Sequence, residues 1–251
     1  MANETRFSNR VADYIKYRPS YPQALIECLI SRAQLTVDAQ VADIGAGTGI
    51  FSKLLLDRGF TVMAVEPNAK MLAAAREQLS GNDRFSYQQN NAEQTGLADQ
   101  SVDLICAAQA FHWFNTDLSK QEFRRILKPD GYLALVWNQR SLQQPLQSEY
   151  EQLLRKYSSD YSQVNHMNLT PTELASCFAQ GAMQEYSFDN QQEFDLSGLI
   201  GRIQSTSYCP ATGSQAYEQL MAAVKVLFCK YQAGGKLRLE YETKLYLGKL
   251  C

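Results

Sequence analysis

Histidine is nearly missing from the 251-residue chain, with 2 in all, and its 6 cysteines never approach one another as C-x-x-C. Zinc and iron–sulfur centres draw on closely spaced thiolates and imidazoles, so no metal is expected here. Cys28, Cys106, Cys177, Cys209, Cys229 and Cys251 read as reduced thiols that pack as small hydrophobes, and His112 and His166 stand far apart. No charge of one sign dominates: 24 Lys and Arg meet 26 Asp and Glu, for a formal net charge of −2. That balance leaves no basic footprint for nucleic acid or for an anionic membrane. No apolar run reaches the ~20 residues that cross a bilayer, and MANETRFSNR lacks the apolar stretch of a secretory leader. The expectation is a cytoplasmic protein with a small-molecule partner, no nucleic acid and no membrane; nothing in the sequence sets its oligomeric state.

What is present is enough apolar material, 45% of residues, to fill a large core without disulfides or metal. Short β-branched or apolar runs at 41–44, 61–65, 85–87, 102–107 and 132–137 alternate with helical patterns at 50–56, 69–79 and 118–127. This is the rhythm of βαβ units, and it predicts an open α/β sheet with helices on both faces. Gly59 and Gly81 are expected as left-handed helix stops, Asp117 as an N-cap, and Lys128-Pro129-Asp130-Gly131 as a turn. Before the core, Phe7, Val11, Tyr14 and Arg18 keep helical spacing until Pro19 and Pro22. After it, helices are expected over 149–157, 171–178 and 215–231 and strands over 183–188 and 237–247, while 139–170 is polar and poorly patterned.

The stretch VADIGAGTG, residues 41–49, runs a buried strand through Gly45, Gly47 and Gly49 into a helix. Glycines there permit a sharp turn and close approach of a ligand at the strand ends, although a plain strand-to-helix turn is the simpler alternative. A Walker loop needs G-x-x-x-x-G-K-[ST], which is not met. The dinucleotide pattern G-x-G-x-x-G fails because the third glycine would fall at Ile50. Asp43, two residues before the first glycine, would repel a pyrophosphate but suits an ammonium group and a sulfonium, as in S-adenosyl-L-methionine. Glu66 lies 21 residues after Gly45, where a carboxylate accepts from both hydroxyls of a ribose, or else caps the following helix.

These motifs occur in one order: Y-x-x-x-RPxYP at 14–22, VADIGAGTG at 41–49, Ala92-Glu93 after the third strand, AQAFHWF at 108–114 and LKPDGYLAL at 127–135. In them the chain resembles the class I S-adenosylmethionine-dependent methyltransferases, in particular the small-molecule enzymes of the type 11-like subgroup, over residues 7–138. The resemblance implies a Rossmann-like, doubly wound, mostly parallel seven-stranded sheet with an antiparallel last strand, plus helical additions over the active site. It implies one methyltransferase domain over 1–251, with a helical cover at 1–36, a cofactor-binding core at 37–138 and acceptor-side helices and closing strands at 139–251. S-adenosyl-L-methionine is the implied cofactor and S-adenosyl-L-homocysteine the implied product. Asp43, Gly45, Ala46 and Gly47 would line the methionine and ribose, Glu66 and Pro67 the ribose side, Asn91 and Ala92 the adenine, and Gln109, Tyr14 and Arg18 the methionine end. Asn91 stands where an acid is commoner, and its amide oxygen can still accept a hydrogen bond. Glu93 is open to a loop-stabilising role.

Around the fourth strand, His112 is the one histidine beside a motif, and an ordinary pKa of about 6.5 would make it a general base. A structural histidine beside a tryptophan is the alternative. Trp113, Tyr17 and Tyr21 are expected to wall the acceptor, whereas Phe111 and Phe114 are expected to pack beneath the loop. Methyl transfer from a sulfonium proceeds by in-line displacement and can dispense with a strong base. Two other readings stand beside it: an NAD(P)-dependent oxidoreductase and a non-catalytic S-adenosylmethionine-binding domain.

Overall fold

A computed structural model of the chain describes residues 10–158, 161 and 170–250. Phe7, His166 and Cys251 therefore lie outside the described residues. The chain opens with α1 (Val11–Tyr17) and α2 (Gln23–Arg32), broken apart by Pro19 and Pro22. The alternating core follows as β1 (Gln40–Ile44), α3 (Ile50–Leu56), β2 (Thr61–Val65), α4 (Ala69–Leu79), β3 (Phe85–Gln88), β4 (Val102–Ala108), α5 (Thr116–Ile126) and β5 (Leu127–Arg140). Then come α6 (Pro145–Tyr157), α7 (Pro171–Ala175), β6 (Gln184–Phe194), α8 (Leu196–Gln204), α9 (Gln215–Tyr231) and β7 (Leu237–Gly248).

The seven strands form one sheet in the order β3-β2-β1-β4-β5-β7-β6. Pairing is parallel from β3 across to β5, and β7 runs antiparallel to both β5 and β6. The expected sheet, with its antiparallel last strand, is thus the one observed. Period-2 alternation divides the strand residues between two cores, because successive side chains face opposite sides. Val41, Leu104, Cys106, Ala134 and Val136 join Leu25, Leu29, Phe51 and Leu55 of α2 and α3 on one face. Ala42, Ile44, Ile105, Leu133 and Leu135 join Phe123 and Ile126 of α5 on the other. With both faces covered, the central strands β1, β4 and β5 read as largely apolar runs. A third apolar cluster joins α6, α8 and α9 through Tyr150, Leu199, Leu220 and Val224 to Leu237 and Leu239 of β7.

Several local expectations need correction. Asn115, not Asp117, caps α5: its Oδ1 accepts from the Leu118 amide at 3.2 Å, which places Asp117 inside the first turn. Gly59 has φ +85°, but Gly81 is absent from the left-handed region, and α4 closes instead through a hydrogen bond from the Ser80 amide to the Arg76 carbonyl. The Lys128-Pro129-Asp130-Gly131 turn is carried inside β5, whose pairing with β4 shifts register between Val102 and Leu104. Strand β6 continues to Phe194 because β7 pairs with it throughout, although the polar run Asp189-Asn190-Gln191-Gln192-Glu193 hides this in the sequence.

The helix α8 was also unforeseen, and it holds the N-terminal cover in place. Gly201 sits under the Tyr17 ring, so closely that a Cβ added there would lie 2.1 Å from a ring carbon. Arg10 donates to the carbonyls of Thr206 and Cys209, and Arg18 Nη2 donates to the Ser205 carbonyl at 3.1 Å. Asn138 at the end of β5 completes the anchoring: its Nδ2 donates to the Ser20 carbonyl at 3.2 Å, while its Oδ1 accepts from Thr243 at 2.5 Å. Replacing Gly201 by alanine should overpack this contact and lower stability by about 1–3 kcal/mol. Urea unfolding checks this, and the loss should be largely recovered in Gly201→Ala/Tyr17→Leu, since the two side chains share one space.

Candidate active site

Three left-handed glycines shape the turn after β1: Gly45 at φ +73°, Gly47 at +59° and Gly49 at +82°. That conformation is cheap only for glycine, which accounts for the alternating pattern. The loop amides are spent within the protein. Gly45 and Ala46 donate to the Val65 carbonyl at 2.8 and 3.2 Å, and Gly47 donates to Glu66 Oε2 at 2.8 Å. Those amides are therefore unavailable to a phosphate, and a carboxylate lies directly behind them. Both observations weigh against a dinucleotide pyrophosphate. A Cβ on Gly47 would point toward the Met71 methyl and the Tyr14 hydroxyl, 3.4 and 4.0 Å away.

The strand order reverses between β1 and β4, and there two adjoining cavities open at the C-terminal strand ends, as open α/β sheets predict. The first is walled by Gly47, Glu66, Pro67, Met71, Asn91 and Ala92, with Asn115 and Phe114 at its rim. The second is walled by Arg18, Tyr21, Asp43, Ala46, His112 and Asn138, with Arg140, Arg202, Tyr161 and Tyr208 on its far side. Tyr14, Gly45, Ala108, Gln109 and Trp113 face both. The structure thus gathers every expected site residue except Tyr17, which packs on Gly201 instead of lining either cavity.

Asp43 is 1% exposed, and Ser52 donates to its Oδ2 at 2.6 Å. Its other oxygen is buried without a hydrogen-bond partner among the described residues. Burial, opposed by the Ser52 bonds, pushes this carboxyl up to about 6. A buried carboxylate oxygen without a donor is costly unless a cation or donor meets it. Glu66 is better satisfied: Oε1 accepts from the Asn68 amide at 2.8 Å and Oε2 from Gly47. Burial nevertheless raises its pKa, with the two backbone bonds opposing. Glu66 therefore braces the loop and the backbone of Asn68, the N-cap of α4, while still facing the first cavity.

Asn91 Oδ1 accepts from the Gln94 amide at 2.9 Å, which closes a tight turn and leaves one lone pair for another donor. Glu93 accepts from the Asn115 amide at 2.7 Å and ties that turn to α5, the loop-stabilising role. Gln109 adopts φ +56° and donates its Nε2 to the Asn138 carbonyl at 3.1 Å. Phe111 and Phe114 pack edge to face at 5.7 Å, and Phe114 packs likewise on Phe123. Trp113 lies against His112, with ring centroids 4.8 Å apart.

The ordinary basicity expected of His112 is not found. Burial, then the Arg18 charge, push it down to about 4, so the ring is neutral at pH 7. Trp137 Nε1 donates to its Nδ1 at 3.4 Å, which places the proton of the neutral ring on Nε2. Sequence reasoning also missed Arg140 and Arg202. Arg140 donates to Glu151 Oε2 at 2.8 Å and to the Tyr161 hydroxyl, and Tyr161 stacks edge-on against Tyr208 at 4.7 Å. Neither arginine belongs to a local motif; folding alone brings them to the cavity.

No helix among the described residues is long and apolar enough to cross a membrane. Residues 42–135 match the family model described as a methyltransferase domain. An uncharacterized methyltransferase of Mycobacterium tuberculosis is 30% identical over 240 residues, covering 94% of this chain and 92% of that one. A solved protein from Anaeromyxobacter dehalogenans, provisionally assigned as a type II methyltransferase, aligns with TM-score 0.68 over 93% of this chain and 98% of its own, at 24% identity. Haemonchus contortus phosphoethanolamine N-methyltransferase 2, solved with S-adenosyl-L-methionine, aligns with TM-score 0.57 over 97% of this chain and 57% of its own, at 16% identity. These two structures speak to the fold alone. Identity spread along nearly the whole of two chains, together with the domain match over β1 to β5, places the chain among the class I S-adenosylmethionine-dependent methyltransferases.

Proposed function

We propose that this chain transfers a methyl group from S-adenosyl-L-methionine to a small-molecule acceptor, with the donor spanning the two cavities. The observation that carries this reading is Asp43, a buried carboxylate with one oxygen unpartnered among the described residues, at the methionine end of the site. An ammonium group would satisfy that oxygen, and the room beside Gly47 suits close approach of the nucleoside. The bound cofactor supplies an electrophilic methyl on a sulfonium. Glu66 would accept from the ribose hydroxyls with Pro67 beside it, and Asn91 and Ala92 would border the adenine. Tyr14, Arg18 and Gln109 would hold the methionine end, with Ala46 and Gly45 as the backbone floor.

Tyr21 and Trp113, which line the second cavity, would wall the acceptor and exclude water from it. His112, neutral and weakly basic, acts here as a positioning wall with its proton on Nε2. Placement of the nucleophile and exclusion of water then carry the acceleration, since the leaving thioether is neutral.

Calorimetric titration with S-adenosyl-L-homocysteine, with NADH as control, tests the reading. Micromolar binding of the thioether and none of NADH is expected; the reverse pattern, or no binding by folded protein, sinks it. Glu66→Gln must place an amide NH2 against a backbone N–H, so it should weaken S-adenosyl-L-homocysteine by about 10- to 100-fold, as befits a charge-assisted hydrogen bond.

Asp43 gives a prediction with two signs. Its folded pKa of about 6 lies above its ordinary value of 3.8. The stability that its protonated form contributes is therefore whole below about pH 4 and lost as pH rises through 6, a change of about 3 kcal/mol. Asp43→Asn should accordingly stabilise the ligand-free protein at pH 7.5 by up to that amount and leave it unchanged near pH 4. The same substitution should weaken S-adenosyl-L-homocysteine, and binding to the unsubstituted protein should fade below about pH 6. Thermal unfolding and calorimetry across pH 4–8 check both halves.

A further inference from the structure

The second cavity has an unusual charge. Three guanidinium groups, from Arg18, Arg140 and Arg202, reach it from three separate elements of the fold. Arg140 is neutralised from behind by Glu151 at 2.8 Å. Arg202, on α8, is 4% exposed, and its Nε and Nη1 are both buried without a hydrogen-bond partner among the described residues. Arg18 Nε is likewise buried and unpartnered, although its Nη2 holds the Ser205 carbonyl. Neither Arg18 nor Arg202 makes an ion pair among the described residues. Burial, then the neighbouring Arg202 charge, lower the pKa of Arg18, so the two cations act on each other across the cavity.

A buried guanidinium without a counter-charge is expensive, and proteins hold one in this state chiefly where an anion completes it. Under the methyl-transfer reading, on which this inference rests, the donor brings a single carboxylate, and Arg18, stacked over Tyr14 and lining the same cavity as Asp43, is placed for it. That leaves Arg202 without an anion among the described residues. We infer that the methyl acceptor carries a carboxylate, and that Arg202 binds this group through its planar guanidinium fork, with Arg140 alongside. The fork matches the two oxygens of a planar carboxylate, and the aromatic walls of Tyr161 and Tyr208, packed edge-on at 4.7 Å, suit an acceptor whose remainder is apolar.

Calorimetry on protein saturated with S-adenosyl-L-homocysteine tests this, using benzoate and glutarate, their amides benzamide and glutaramide, and phenyl phosphate. The carboxylates should bind at least about tenfold more tightly than the amides. Arg202→Gln should abolish that preference while leaving S-adenosyl-L-homocysteine binding within about twofold. Arg202→Lys keeps the charge but loses the fork, and should fall between; it also serves if Arg202→Gln fails to fold. Equal affinity for carboxylates and amides, an unaltered preference in Arg202→Gln, or no saturable carboxylate binding would overturn the inference. Binding of phenyl phosphate with exclusion of both carboxylates overturns it in favour of a phosphate-bearing acceptor. If the protein does not bind S-adenosyl-L-homocysteine, the methyl-transfer reading fails by itself, and the same titrations on ligand-free protein still decide whether Arg202 is a carboxylate site.

Discussion

One carboxylate ties the candidate site together. Glu66, at the end of β2, reaches under the glycine loop to the Gly47 amide and forward to the Asn68 amide at the start of α4. Two strands, a loop and a helix cap thereby share one charged group held in a largely buried position. The arrangement determines what the loop can do, because amides turned inward to a carboxylate and to the Val65 carbonyl are closed to an anionic ligand. A loop of similar glycine content whose amides faced outward would bind phosphate; under the proposed function this one would floor a nucleoside site. Its selectivity arises from the direction of a few N–H bonds as much as from any side chain.

The central strands β1, β4 and β5 were legible in the sequence because they are largely buried on both faces, so that they read as apolar runs bounded by turn signals. Asp43, Glu66 and the three glycines were legible for a related reason: each sits within a few residues of a strand end, where local spacing and spatial position are the same thing. Arg140 and Arg202 were not. Arg140 ends β5 and Arg202 lies in the last turn of α8, 62 residues apart in sequence, and only the packing of α6, α8 and α9 over the sheet end brings both to one cavity. Helix α8 itself was missed because its LSGLIGRIQ segment contains two glycines, one of which exists to admit Tyr17.

Two expectations failed for environmental reasons that no pattern encodes. The basicity of His112 depends on burial and on the Arg18 charge, and Arg18 reaches it from a different part of the chain. The place of Tyr17 depends on whether α1 turns it toward the ligand space or toward α8, and a helical stripe of tyrosines is consistent with either. Tyr14 and Tyr21, from the same segment, do face the cavity, so the motif was informative as a whole and ambiguous residue by residue.

The short helix α1 buries none of its residues, yet Tyr14 from it faces both cavities. Its hold on the protein comes from a few polar ties and the Tyr17 contact: Arg10 and Arg18 to the segment after α8, and Gln192 Nε2 to the Tyr17 carbonyl at 3.2 Å. Elements secured in this way occupy the low end of the local stability scale, well below the free energy needed to open the sheet. The free energy separating a covered from an uncovered site is accordingly a local quantity, set by contacts that can be exchanged without disturbing either core. Ligand exchange and opening of the sheet thus draw on largely separate contacts, and the Tyr17–Gly201 packing is the place where the cover also bears on the stability of the whole.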